Sequence, residues 1–596
     1  MEKRKSAMWI HFRKEGDRQV ICKICNREFK YSNNTSNLKD HMKRKHPEQL
    51  VPPSSSSHDS NEISVDCSHI TRGQNRSDQY SDNSSRKKML DNLFVKMVAI
   101  DMEPLRLSDR KGLKEFVRAL DSRYEMPSRN ILSNKLLPRM YNRMKVQLME
   151  LLTKVQNVAI TTDMWTSSSN QTICAITCHF ILANQLRSAL LTALAVDGHH
   201  DADNLSSVIA AVLDQWKVRE KVTAIVTDNA AVMLKVAEII KLRHLPCFAH
   251  TLNLVYKDTC NQPGLKEIID KCKQIVRYFK HSTLASDQLK AAQKSLNKPE
   301  LKLLQEVETR WNSLFYMLER LRNVREEVTL VINQNSRAPP NLSAEEYTLL
   351  EEIEKILDPL EACTIAISGE MYSTISLIIP LIKGLSLEIA KLEKEILSDF
   401  SKNFIQLIKD SINKRLKPYE IRTPCMIATM LNPHFKKLGF KTDSDCERAI
   451  AAIQREHSSY LVRQSSACDN PENAIIKQSN VEEDNAPAKK SKLDKLLYFL
   501  NTPQRSSSTV DAIVDIRQYV EKPIIPKTEF PIEYWNHSEN SLKVIALKYL
   551  CIPATSTPAE RIFSKAGLIM TDRRSRLSSE HLNELLFINQ NASLFE

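Results

Sequence analysis

Val158-Ala-Ile-Thr-Thr-Asp163-Met-Trp and, further on, Val222-Thr-Ala-Ile-Val-Thr-Asp228-Asn share one design: apolar and β-branched residues closing on an aspartate. Each reads as a buried strand that delivers a carboxylate to a fixed place at its end. Between them stand two more β-rich runs, Thr172-Ile-Cys-Ala-Ile-Thr-Cys-His-Phe-Ile181 and Ala189-Leu-Leu-Thr-Ala-Leu-Ala-Val196. A helix is expected from Asp203 or Asn204 through Val208, Ile209, Val212, Leu213 and Trp216. Three strands, a helix and a fourth strand form one α/β unit, which we place at 157–261. Carboxylates on neighbouring strands can share two divalent cations about 3.5–4 Å apart, the arrangement that phosphoryl transfer uses. Aspartate at a strand end is also a common turn residue, and the runs alone leave both readings open.

Outward from this unit the texture is helical. Leu90, Phe94, Met97 and Val98, then Leu113, Phe116, Val117 and Leu120, pattern 88–156 as a helical segment. From 262 to 529 Leu, Ile, Glu and Lys dominate, and Leu349, Ile353, Ile356, Leu357 and Leu360 have amphipathic spacing. An exposed, disordered loop is expected within it at about 463–495, where Pro487-Ala-Lys-Lys-Ser-Lys-Leu-Asp-Lys495 resembles a nuclear import signal. A last compact segment, 530–596, ends in a helix near 580–591. At the other end, residues 51–85 hold 11 serines and few large apolar side chains, so 51–87 reads as a disordered linker.

Composition removes several function classes. Only 9 glycines occur in 596 residues, and the closest two, Gly369 and Gly384, stand 15 positions apart. Neither a dinucleotide fingerprint nor a phosphate-binding P-loop can be written with such spacing, so no nucleotide cofactor is expected. No membrane segment is expected either, because no stretch approaches about 18 apolar residues. Met1 to Trp9 carries charge without an apolar run, so no secretory signal is expected and the 13 cysteines are read as reduced thiols or metal ligands. The net charge is +13, and residues 1–50 hold 13 basic against 6 acidic side chains. Basic charge concentrated in this way suits a polyanion partner.

Within that basic stretch Cys22-x2-Cys25 is followed by His41-x4-His46, a spacing that fits a closed, tetrahedral and therefore structural Zn²⁺ site. Beside the ligands lie Asn34, Asn37, Lys39, Lys43 and Arg44, side chains able to contact base edges and phosphates of double-stranded DNA. With Trp9-x-x-Phe12 ahead of the cysteines, residues 1–50 resemble the BED zinc finger, a DNA-binding module. A protein-binding finger is the alternative.

Five further words stand in one order: Thr161-Thr-Asp-Met-Trp-Thr-Ser167, Val226-Thr-Asp-Asn-Ala230, Leu245-Pro-Cys-Phe-Ala-His-Thr-Leu-Asn-Leu254, Thr309-Arg-Trp-Asn-Ser313 and Ile552-Pro-Ala-Thr-Ser-Thr-Pro-Ala-Glu-Arg-Ile-Phe-Ser564. With the finger in front, they resemble the hAT superfamily of DNA transposases and the host genes derived from them. The resemblance implies a multidomain α+β protein. Its RNase H-like core would be interrupted by a large all-helical insertion and completed by the C-terminal dimerisation region, giving a homodimer or higher oligomer. It implies a nuclear protein with a catalytic triad of Asp163, Asp228 and Glu560 holding Mg²⁺ or Mn²⁺. It places Cys247 and His250 near the active site, and Arg310 and Trp311 on DNA, the tryptophan stacking on a displaced base. The 88–156 segment would add DNA-binding or dimerisation surface. Local readings compete with these roles: Thr557-Pro-Ala-Glu560 spells a helix capping box, and Cys247, His250 and Trp311 could be core residues. Leu582, Leu585 and Leu586 could pack the core or a partner. Asn432, His434 and Tyr534 depart from the family's usual residues. An active transposase and a domesticated, non-catalytic transcription or chromatin regulator both fit the sequence.

Overall fold

The computed structural model describes residues 11–15, 19–30, 36–46, 79–166, 171–307, 312–396, 398–468, 508–569 and 577–595. It divides into two compact units, Met1–Asp78 and Gln79–Glu596. In the first unit β1 (Phe12–Lys14), β2 (Gln19–Cys22) and β3 (Glu28–Lys30) form an antiparallel sheet, followed by the helix Ser36–Lys45. Phe12, Val20, Cys22, Leu38 and Met42 make its core, too few side chains to hold a fold without a crosslink.

The second unit is built on a sheet of β4 (Val158–Thr166), β5 (Thr172–Leu182), β6 (Gln185–Ala195), β7 (Val222–Thr227) and β8 (His244–Pro246), in the order β6-β5-β4-β7-β8. The first three strands are an antiparallel meander, and β7 and β8 run parallel to β4. Ala183 and Asn184 both take positive φ, 47° and 66°, as a tight two-residue hairpin requires. The helix expected from Asp203 or Asn204 begins at Ala202, because the Asp201 side chain accepts the Asn204 N–H and so is the cap. Strand β8 escapes the sequence pattern: three residues, His-Leu-Pro, are too few to show a period.

Both faces of the sheet are buried. Val158 and Ile160 join one core with Phe94, Val98, Met140 and Leu148. Ala159, between them, joins another with the insertion. The stretch 88–156 is thus not a free-standing module: it covers one sheet face. The helix Ser85–Ile100 starts inside the expected linker, capped by Ser84, and Tyr80 already donates to Asp121 at 3.1 Å. Further along, the helix Asp443–Cys468 runs into the expected loop, and the rest of that loop, with its basic run, lies outside the described residues.

The C-terminal region closes the core. Along the edge strand β6, Asn591 gives its amide N–H to the Leu190 carbonyl and accepts the Leu190 N–H, both at 2.9 Å. Asn583 accepts the Ala193 N–H at 2.8 Å. These side chains satisfy groups that an open edge would offer to another chain. Leu582, Leu585 and Leu586 are buried within the protomer, so they pack the core. Trp535 donates to the Leu431 carbonyl at 2.7 Å and Asn432 donates to Ser376 at 2.8 Å, joining the insertion to the C-terminal region and to itself. Among the described residues no helix is long and apolar enough to cross a membrane.

Candidate metal centres and active site

In the finger, Asn26 at φ 55° turns the chain so that its N–H reaches the Cys22 carbonyl and the Cys22 N–H reaches Arg27. That knuckle brings Cys25 back towards the helix, which carries His41 and is followed directly by His46. The ligand atoms of Cys22, Cys25, His41 and His46 all lie within 4.8 Å of one another. Cys25 Sγ is 3.2 Å from His41 Nε2, and His46 Nε2 is buried with no hydrogen-bond partner. A buried orphan nitrogen beside two thiols is what a tetrahedral Zn²⁺ satisfies. Burial first, then the charge of His46, lowers the His41 pKa and favours the neutral imidazole that a metal needs. Lys39 and Arg44 are exposed on the helix. Asn34 and the side chains of Asn37 and Lys43 lie outside the described residues.

The second constellation sits on the sheet. The pairing Thr161↔Val226, carried two residues on, sets Asp163 beside Asp228 on neighbouring parallel strands. Asp228 follows β7 directly, as expected of a strand end. Asp163 does not end its strand, because β4 continues through Thr166 in pairing with β5. Glu560 arrives from the helix Thr557–Ile569, whose Ala559, Ile562 and Ala566 pack on Ile173 and Ala175. Trp165 stacks on Phe563 of that helix, ring centroids 5.7 Å apart. The Asp163 carboxyl is pushed up to about 7, by burial above all and then by the charges of Glu560 and Asp228, against one stabilising N–H from Met164. Three carboxylates therefore face a common space.

The local reading of Glu560 as a cap does not hold. The helix begins at Thr557, which makes Ser556 its N-cap and Ala559 the third helical residue; a capping box needs the acid there. Glu560 is exposed, and Ser556 Oγ donates to its Oε1 at 3.4 Å.

Cys247 ties the pieces together. It is fully buried and its thiol pKa is raised by burial. Its N–H reaches the Thr227 carbonyl at 2.7 Å, one residue before Asp228. Its Sγ accepts the His250 N–H at 3.4 Å, capping the helix Phe248–Cys260, and the Ser556 N–H at 3.3 Å, four residues before Glu560. Asn229 donates to Thr251 at 2.8 Å, and Thr251 bonds back to the Cys247 carbonyl at 3.0 Å. His250 is half-buried in the first turn of that helix. Sequence reading missed Thr227, Thr251 and Ser556, although Ser556 ahead of Pro558 was a legible cap signal. Arg310 and Trp311 lie outside the described residues.

Four family profiles match the chain in the order of these features: the BED zinc finger at residues 6–47, the ZBED1 RNase-like domain at 161–248, the ZBED1 RNase-like helical domain at 245–356, and the hAT family C-terminal dimerisation region at 515–592. The chain is a hAT-family, transposase-derived BED zinc-finger protein. It is 23% identical over 630 residues to the human "Zinc finger BED domain-containing protein 4", covering 99% of this chain and 52% of that one. It is 24% identical to a maize protein named for the AC transposase, over 81% of this chain and 62% of the relative. A Talaromyces stipitatus protein named as the transcriptional regulator tpeD is 22% identical, over 98% of this chain and 71% of its own length. The chain spans about half the length of the human relative. In this hAT-family chain the RNase-like match runs from Thr161 within β4 through β8, the helical match opens the insertion, and the dimerisation match ends just past the helix that closes β6.

Proposed function

We propose that this protein binds double-stranded DNA through its finger, in the nucleus, and cuts DNA strands at the ends of its own element in a metal-dependent reaction, as a self-associating transposase. One observation carries the reading: Asp163, Asp228 and Glu560, remote in sequence, converge on one end of the sheet, and Asp163 titrates near neutrality because of burial and its two acidic neighbours. Burial of Asp163 beside two further carboxylates favours a site completed by divalent cations. Bound Mg²⁺ or Mn²⁺ would supply activation of the attacking oxygen and charge for the leaving one. The chain's own part is positioning. Parallel β4 and β7 fix the two aspartates, Cys247 holds the strand end and the segment before Glu560 together, and Trp165 against Phe563 sets the helix that carries it.

The regulator reading draws support from the relatives that carry BED-protein and transcriptional-regulator names. A cleavage assay with the chain's own element ends and Mg²⁺ or Mn²⁺ decides between them. Asp228→Asn and Glu560→Gln should each lower cleavage by several orders of magnitude while DNA binding and melting temperature hold. DNA that is bound but never cut by the unmutated protein would establish the regulator.

A further inference from the structure

Away from the carboxylates, a cleft of about 630 Å³ opens along the edge strand β8, against the helices Asp443–Cys468 and Lys543–Leu550. Gln156 and Asn157, which precede β4, and Arg243, which precedes β8, line it, so it lies at the opposite end of the sheet from Asp228. Four cations face the cleft, Arg243, Arg455, Arg463 and Lys548, against a single carboxylate, Glu456. That carboxylate is already engaged twice, by Arg243 at 3.3 Å and Lys548 at 2.8 Å. The Tyr549 hydroxyl accepts from Arg243 at 2.6 Å and fixes the guanidinium further. Arg455 donates to the Ala451 carbonyl of its own helix, and neither it nor Arg463 has a carboxylate partner among the described residues.

Two other clefts of similar size have the opposite sign. One, about 700 Å³, is walled by Glu319, Glu354, Asp358, Glu388 and Glu395 against Arg322 and Lys355. The other, about 680 Å³, holds Asp515, Glu529, Glu533 and Glu539 against Lys522. Positive charge is therefore gathered at the β8 edge and is not a general property of this protein's concave surfaces. Beside the cleft, Arg422 precedes the lining residue Thr423, and its charge lies close enough to His244 to help burial lower that imidazole's pKa. His244 in turn bonds Thr227, the neighbour of Asp228.

We propose that this cleft is a second DNA-binding surface, which takes the phosphate backbone of a duplex without reading its bases. Guanidinium and ammonium groups in excess, with the neutral amides of Gln156 and Asn157 beside them, suit phosphate oxygens. The surface is independent of the finger and does not depend on whether the acidic centre cuts.

The test is duplex binding by the full chain, measured by fluorescence anisotropy against salt, in a Cys22→Ala background that removes the finger's contribution. Arg455→Ala/Arg463→Ala should lower affinity about tenfold near 0.1 M salt. The slope of log K against log salt should fall by about two, since each lost phosphate contact removes roughly 0.9. Neither side chain is in an ion pair among the described residues, so helix content and melting temperature should stay as they were. Arg455→Lys/Arg463→Lys should restore the slope. An unchanged slope in the alanine pair would overturn the proposal. So would displacement of nothing by duplex while inorganic tripolyphosphate binds, which would make the cleft a site for small polyanions.

Discussion

The finger gathers four metal-ligating groups and the acidic centre three carboxylates, and the two hold their groups differently. In the finger four ligand atoms already lie within 4.8 Å of one another beside a core of Phe12, Val20, Leu38 and Met42. In the acidic centre the carboxylates stand on a sheet and helix that are fully packed by their own cores. The difference teaches which partner makes the fold. Neutral imidazoles and thiols can crowd together before the ion arrives, and the ion then completes a structure too small to stand otherwise. Carboxylates repel one another, so a large prebuilt scaffold has to hold them.

Breaking the comparison begins with zinc. Chelation, or Cys22→Ala, should unfold the finger completely, since structural zinc contributes about 10–16 kcal/mol to such domains. Circular dichroism should show the larger unit unchanged, and gel-shift titration should show sequence-specific binding lost. Survival of that binding in EDTA would place recognition elsewhere.

A smaller effect belongs to Asp163. Its carboxyl is raised from 3.8 to about 7 in the fold, so between those values the folded chain binds more protons than the unfolded one. Metal-free protein should therefore lose stability as the pH rises from about 4 to about 7, by up to about 4 kcal/mol from this group. Asp163→Asn should flatten that slope and melt higher than the unmodified chain at pH 8, though not at pH 4. Equal melting shifts at both pH values would contradict the burial argument. Saturating Mg²⁺ should erase the difference at pH 8, sharpening the contrast with the finger.

Smallest is Cys247. Cys247→Ala leaves the buried Ser556 and His250 N–H groups without their acceptor, at a cost of about 1–3 kcal/mol. Cys247→Ser should recover part of it. Zinc content should not move in either variant, which metal analysis of the purified protein would check.

Much of this was legible in the linear chain. The unbroken apolar and β-branched runs of Val158 to Asp163 and Val222 to Asp228 specify strands buried on both faces, where nearly every position must be apolar. The finger was legible because ligand spacing is a local constraint. What stayed hidden was long in sequence separation or short in extent. Strand β8 has three residues and no period. The packing of 88–156 on the sheet looks, in sequence, like any amphipathic helix, since periodicity names a buried face and not its partner.

The two ends of the chain divide the same way. By itself the sequence determined the kind of chemistry: which strands end near carboxylates, which cysteines and histidines can share a metal, and which nucleotide motifs are impossible. Tertiary structure alone decided the competitions. Glu560 is no capping residue because the helix starts at Thr557. Leu582, Leu585 and Leu586 pack inward because Asn583 and Asn591 lay their helix along β6. Cys247 is a tie between three segments because its thiol accepts from residues 309 positions apart in the chain and three apart. A side chain's chemistry is fixed by its type. Its role is fixed by which unsatisfied groups the rest of the fold brings to it.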